Sequence, residues 1–349
     1  IVKNRQHDCD TTHIVLRFIV ESSLLFMFAA VVYKRTLNKM KKARRVKDGI
    51  LNHCYQRTVG GAILFYNYAD YLVYFTSYCV LARKYDVVVL SLCQMPDHLH
   101  DSLLVREKKQ LASFKRDQNS WFAKQQNEFL KIEGPLFWHP FGSAMKTDEK
   151  KIRTNLIYVG NNPVERHLAD KAEECRWNYV AYADSDHPFS KKMVLRKCSS
   201  ALKGAMKEVR AQHTMDLPLN YCMIYRLFKP LDMEETQQLI DFIIGIYNVI
   251  DYKLALEYFG GSYKQFLTAL HSTTGSEHDI KEKKTGRSDL YYDQMTTLLL
   301  REYALGDIHE FIRMDKKQLF NFLRGKTAAT EKQIKKYLRI RDWELCDTQ

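Results

Sequence analysis

Two β-rich runs, Asp86 to Leu92 (DVVVLSL) and about Leu99 to Val105, are parted only by the breaker Met95-Pro96-Asp97. So short a break points to a hairpin of neighbouring antiparallel strands. Leu51 to Thr58 has the look of another short strand, and Val59-Gly60-Gly61 of a turn. Between them and the hairpin, Asn67 to Lys84 carries Tyr71, Leu72, Phe75, Tyr78, Cys79 and Ala82 at helical spacing. Leu111 to Leu130, with Phe114, Trp121, Phe122 and Phe129, reads as an amphipathic helix. A strand is expected within Leu136 to Met145. Thr147-Asp148-Glu149 starts a helix that should stop at Asn162-Pro163, because proline restricts the residue before it. The order β-α-β-β-α-β-α predicts an α+β domain, a small antiparallel-centred sheet with helices on one or both faces.

The chain has 349 residues, enough for two domains, and 46% apolar residues, which argues against wholesale disorder. Its 54 basic and 41 acidic residues leave a net charge of +13. That balance favours an anionic partner, nucleic acid or an acidic membrane face. No two of the eight cysteines stand at C-x-x-C spacing, so a zinc ribbon is unsupported. Scattered in this way they read as reduced, mostly buried thiols of an intracellular protein. Residues 14–33 are apolar, but Arg17 and Glu21 interrupt them. The uncharged part, Ser22 to Tyr33, is shorter than the roughly 20 residues of a membrane helix. Residues 1–39 are translated upstream sequence with Met40 the true start, an added amphipathic helix, or a poor anchor. No stable membrane association is expected.

His98-Leu99-His100 opens the second strand of the hairpin. Residues i and i+2 of a strand share a face, so the two imidazoles stand side by side while Leu99 points into the core. Such a pair can hold one divalent cation, which would neutralise charge developing on a phosphate. A structural pair of half-buried histidines is the plainer reading of H-x-H alone.

Tyr158 and Asn162 stand at i and i+4, stacked on one helix face. A phenol is a poor nucleophile near neutral pH, and a neighbouring cation in an electropositive site helps it react. Asn162 could supply an oxygen ligand to the same cation. Alternatively, Tyr158 is one of 21 tyrosines packed in a core and Asn162 ends a helix.

Taken together, these residues resemble the single-tyrosine HUH transposases, in the REP-associated tyrosine transposase branch. His53-Cys54-Tyr55-Gln56-Arg57-Thr58 is similar to that family's opening strand. Cys93-Gln94-Met95-Pro96-Asp97-His98-Leu99-His100 is similar to its M-P-x-H-x-H signature, and Tyr158-Val159-Gly160-Asn161-Asn162-Pro163-Val164 to its Y-x-x-x-N-P-V helix end. Arg176-Trp177 falls where the family often has an aromatic residue after a charged turn. The match runs from Leu51 to Tyr182. It implies a ferredoxin-like or RRM-like sheet, with Mg²⁺ or Mn²⁺ held by His98, His100 and Asn162, and Tyr158 as the nucleophile. It implies a substrate of single-stranded hairpin DNA, a 5′-phosphotyrosine intermediate, action as monomer or homodimer, and a cytoplasmic, nucleoid-associated place. Asp101 departs from the family, which is apolar or small there. By strand alternation it should face away from the histidines, where it could disturb the packing. Gly160 should add slack to the tyrosine helix.

Arg57, Lys146 and Arg153 are candidate DNA contacts, the last two equally well solvated surface. His139 is better read as a partly exposed strand histidine than as a DNA or metal contact. Trp121 and Phe122 are better read as core than as base-stacking rings. The expected organisation is an N-terminal extension over 1–48, a catalytic domain over 49–185, a helical linker region over 186–288, with a long apolar helix region at 234–258, and an all-helical region over 289–349. In the last, Lys316 to Leu323 and Glu331 to Ile340 look like a helix-turn-helix. Ile334, Leu338 and Ile340 would face inward, and Lys332, Lys335, Lys336 and Arg339 outward to DNA. An ordinary basic surface helix would look the same. Two other functions stay open: a decayed or domesticated transposase that only binds hairpins, and a metal phosphodiesterase that uses water.

Overall fold

The computed structural model describes residues 46–138, 140–272 and 288–340. The expectations for residues 1–39, for His139 and for the polar break at 277–287 fall outside the described residues.

Strands β1 (Leu51–Arg57), β2 (Val88–Met95), β3 (His98–Leu104) and β4 (Gly142–Lys146) form one antiparallel sheet in the order β2-β3-β1-β4. The hairpin is as the sequence predicts, with Met95 opposite His98. β1 lies between β3 and β4, and places Tyr55 opposite His100 and Arg57 opposite His98. β4 is shorter than expected: Phe137 makes only an isolated bridge to Thr58. Pro140, which has no N–H for a ladder, separates the two.

Helix α1 (Tyr68–Lys84) starts at a capping box. The Asn67 side chain accepts from Ala69 N at 2.9 Å, and Asp70 Oδ2 accepts from Asn67 N at 3.3 Å. With α2 (Lys108–Leu130) it covers one face of the sheet. Leu99 and Leu103 there join Phe75, Tyr78, Phe114 and Phe122 in the main core, with Trp121 packed against it. Asp101 also points to this face, away from the histidines as expected. It is buried with a salt bridge to Lys115 of α2 and a 3.0 Å hydrogen bond from Tyr78 of α1. A carboxylate at a core position is thus accommodated by a cation and a phenol that satisfy it.

Helix α3 (Glu149–Glu165) covers the other face, where Tyr158 and Val159 meet Cys93 and Met95. It does not stop at Asn162: Pro163 lies inside the helix. Pro163 removes one backbone donor, but Val159 to Pro163 are buried, and packing holds the last turn. Gly160 is not slack. A Cβ there would stand 2.9 Å from Leu270 Cδ2, so the missing side chain is what lets the two segments approach.

Helices α4 (Ser200–Thr214), α5 (Tyr221–Phe228) and α6 (Met233–Tyr247) extend the main core through Leu202, Ile224, Ile243 and Tyr247. The apolar helix region expected at 234–258 consists of two helices, α6 and α7 (Tyr252–Glu257). The chain leaves helix between them because Ile250 bridges to Val89, and Asp251 N donates to Val89 O at 2.8 Å. α8 (Tyr263–Ser272) follows. Then α9 (Leu290–Glu302), α10 (Lys316–Lys326) and α11 (Glu331–Tyr337) form a second core around Met295, Phe311, Leu323, Ile334 and Tyr337. Ile63 and Tyr66, from the loop after β1, belong to this second core.

Among the described residues no helix is long and apolar enough to cross a membrane. The six described cysteines are free thiols. Cys54, Cys79 and Cys93 are buried, while Cys175 and Cys198 are half-buried and Cys222 is exposed.

Candidate metal and tyrosine site

His98 and His100 come from β3 and Tyr158 from α3, which crosses the same sheet face. The His98 and His100 rings are 4.9 Å apart and perpendicular, and Tyr158 stands edge-on to His100 at 5.4 Å between centroids. The residues that sequence spacing singled out, about sixty positions apart, are therefore neighbours. All are deeply set: His98, His100 and Tyr158 are 6%, 3% and 3% exposed.

A third imidazole was missed. His53 of β1 stacks on His100 and stands edge-on to Tyr158 at 5.6 Å. Its Nε2 is 3.0 Å from Nδ1 of His100. The only signal in the sequence was a histidine two places before the exposed Tyr55, on the strand face that the hairpin histidines share. Asp97 was missed too: its Oδ1 accepts from Nδ1 of His98 at 2.5 Å.

These contacts occupy Nδ1 on both histidines. Nε2 of His98 and Nε2 of His100 are buried and have no hydrogen-bond partner among the described residues. Burial pushes His53 down to about 3, helped by Lys146 and Lys115. Burial, with His98 and His53 nearby, holds His100 well below the ordinary histidine range. Both rings are thus neutral at pH 7. Nδ1–H of His100 donating to Nε2 of His53 is the tautomer that leaves a lone pair on Nε2 of His100. Burial alone would raise the Asp97 carboxyl, but His98 and Lys336 beside it hold it well below the usual carboxylate range. Two bare ring nitrogens, each backed by a partner on the opposite nitrogen, are the donor set that a divalent cation takes. The residues fit a two-point hold. Among the described residues no group of three or more His, Cys, Asp or Glu side chains is placed to hold a metal ion.

Asn162 is buried, and its amide nitrogen donates to Tyr158 O at 2.9 Å. It follows Tyr158 by one turn of α3, as expected, and that bond engages its amide nitrogen. Asp289, just before α9, is also drawn to this region: its N–H donates to Arg166 O at 2.9 Å. Burial and the charge of Asp97 raise its carboxyl to about 6.

The candidate DNA contacts divide. Arg57 is exposed beside the Tyr55 ring, 5.8 Å from its centroid. Lys146 ends β4 opposite Leu51, and Arg153 pairs with Glu149 at 3.3 Å. Lys332 is exposed and Lys335 half-buried. Lys336 and Arg339, expected to face outward, turn inward. Lys336 Nζ reaches Asp97 Oδ2 at 2.8 Å. The Arg339 guanidinium binds Ile63 O at 2.7 Å and Gln126 Oε1 at 2.8 Å. For Arg339 the reason is local: α11 ends at Tyr337, and Arg339 takes a left-handed φ of 53°, whereas Lys336 lies within the helix and is drawn in by the buried Asp97 carboxylate. A helical wheel carried on to Ile340 puts that side chain on the wrong side.

Set against family models, curated proteins and solved structures, the chain matches none of them.

Proposed function

We propose that this chain is a metal-dependent endonuclease and strand transferase that cuts single-stranded hairpin DNA through Tyr158, as its resemblance to the single-tyrosine HUH transposases implies. The observation that carries the reading is the meeting of Tyr158 with His100, which stands beside His98, the Nε2 atoms of both histidines being buried and without a hydrogen-bond partner among the described residues. The β-α-β-β-α-β order, with strands arranged β2-β3-β1-β4, supports a ferredoxin-like reading of the domain.

In this reading the Tyr158 oxygen attacks a phosphorus of the strand. The phosphotyrosine bond forms, the bond to the 3′ oxygen breaks, and that oxygen leaves as a free 3′-OH after taking a proton. The phosphodiester energy is kept in the new bond, so a 3′-OH can later rejoin without ATP. His98 and His100, with Asn162, would hold Mg²⁺ or Mn²⁺, which would supply charge neutralisation at the phosphate. His53 and Asp97 orient the two rings. Two exposed aromatic side chains lie near this end of β1: Tyr55 (41% exposed), whose ring is 6.2 Å from that of His53 and has Arg57 beside it, and Trp138 (61% exposed), whose backbone N–H donates to Arg57 O at 3.2 Å. Unpaired bases stack on such rings. α10 and α11 follow one another across a short turn and are read as the helix-turn-helix, with Lys332 as its exposed basic contact for flanking DNA.

The burial of Tyr158 favours a second reading, a protein that binds hairpins without cutting them. One experiment separates the readings: the full chain is incubated with Mn²⁺ and hairpin DNA from its own genomic flanks, and run on a denaturing gel. A protein–DNA adduct that is lost in Tyr158→Phe and in His98→Ala is the expected result. Binding without an adduct selects the second reading. Cleavage that survives Tyr158→Phe selects a phosphodiesterase that uses water.

A further inference from the structure

We infer that Lys336, from the C-terminal helix read as a DNA contact, is a positioning residue of the metal site, which it serves by fixing Asp97 and through it His98. The inference rests on the proposed metal-dependent reading.

Asp97 is gripped at both oxygens: Oδ1 accepts from His98 Nδ1 at 2.5 Å, and Oδ2 from Lys336 Nζ at 2.8 Å. Charge-assisted bonds on both oxygens fix the carboxylate's rotation, and so the plane and tautomer of the imidazole. All three groups are withdrawn from water, the side chains of Asp97 and His98 being at most 10% exposed and that of Lys336 24%. The path of the lysine is built for it. Its stem crosses Gly61, where φ is +70° and a Cβ would stand 2.8 Å from Lys336 Cε. Any other residue at 61 would push the stem aside.

The backbone around Asp97 is held by the same loop. Leu64 N donates to Pro96 O at 2.7 Å, and Ile63 N to Lys336 O at 3.3 Å. Tyr66 Oη donates to Tyr337 O at 2.7 Å. Arg339 grips this loop at the same residue, through Ile63 O, and not at Asp97. The chain thus contains its own control. Both side chains tie the segment 336–339 to earlier parts of the chain, Arg339 at Ile63 O and Lys336 at Asp97, and only Lys336 continues to the histidine.

The test is a Mn²⁺ titration of the full-length protein by calorimetry, with no DNA present. Lys336→Met should weaken Mn²⁺ binding by roughly 10–100-fold. Lys336→Arg should restore part of it, and Arg339→Met should leave it unchanged while lowering the melting temperature. The imidazole ¹⁵N shifts of His98, read without metal, should show Nδ1–H in the wild type and a tautomer mixture in Lys336→Met. Wild-type Mn²⁺ affinity in Lys336→Met overturns the relay. So does an equal loss in Arg339→Met, which would make Lys336 a docking residue only, and so does a wild type that binds no Mn²⁺. Failure of the functional reading shows elsewhere, as a wild-type protein that forms no Tyr158 adduct although Lys336→Met has lost Mn²⁺.

Discussion

The imidazole of His53 lies stacked on that of His100, 5.2 Å between centroids, with Nε2 of one 3.0 Å from Nδ1 of the other. A neutral acceptor is thereby held behind a candidate metal ligand. Partners of this kind typically contribute 10–100-fold in metal affinity, and His53→Ala is expected to lose about that much. Mn²⁺ electron paramagnetic resonance gives the free ion directly. An unchanged affinity would mean that His100 takes its orientation from the strand alone.

Asp101 and Lys115 form a buried ion pair on the opposite face of the sheet. Removing the lysine leaves a carboxylate without its cation, so Lys115→Met should cost about 3–5 kcal/mol. The double variant Asp101→Leu/Lys115→Met should recover much of that loss. Urea unfolding measures both. A single variant within about 1 kcal/mol of the wild type would contradict a charged pair there.

His309 sits between two carboxylates, with Nε2 3.0 Å from Asp70 Oδ2 and Nδ1 2.6 Å from Asp307 Oδ1. Burial alone would push it down, but Asp70 and Asp307 raise it to about 9. Tyr221 and Tyr225 donate to the same carboxylates and are pushed up by burial, so they stay protonated across this range. A histidine raised in the folded state stabilises fully below its unfolded value, near 6.5. The contribution, up to about 3 kcal/mol, is lost as pH rises through 9. The stability gap between wild type and His309→Gln should therefore narrow from pH 6 to pH 10. A gap that stays constant would show that the imidazole is neutral throughout.

Tyr55, whose ring lies 6.2 Å from that of His53, and Trp138, whose backbone N–H donates to Arg57 O, offer exposed rings. Each base stacked on an aromatic side chain is worth roughly 1–3 kcal/mol, so Tyr55→Ala and Trp138→Ala should each weaken binding of a (dT)15 strand to that extent. Fluorescence anisotropy without metal isolates binding from cleavage. If both variants bind as the wild type does, the strand runs elsewhere.

Periodicity made the sheet and its flanking helices legible, because alternation and helical spacing are local. The same alternation placed His98 with His100 and turned Asp101 away from them. What was not legible was the second half of each contact. Nothing near Asp97 in the sequence announces Lys336, and nothing near His100 announces His53, since these pairs are made by packing. The inward turn of Arg339 escaped for a different reason. The amphipathic pattern carried on past Tyr337, where the backbone had already left the helix. Pro163 misled in the opposite direction: it reads as a stop, but burial of the surrounding turn overrides the lost hydrogen bond.

Asp97 and Lys336 lie 239 residues apart, and Ile63 and Arg339 lie 276 apart. Contacts of such separation form late, because a long loop must close before they give anything back. During synthesis the hairpin with both histidines leaves the ribosome well before α11 exists. The nascent sheet carries its imidazoles with Asp97 gripped on one side only. The order of synthesis thus sets an order of readiness: the strand that presents His98 is made first, and in the proposed relay the last described helix completes the grip that sets it.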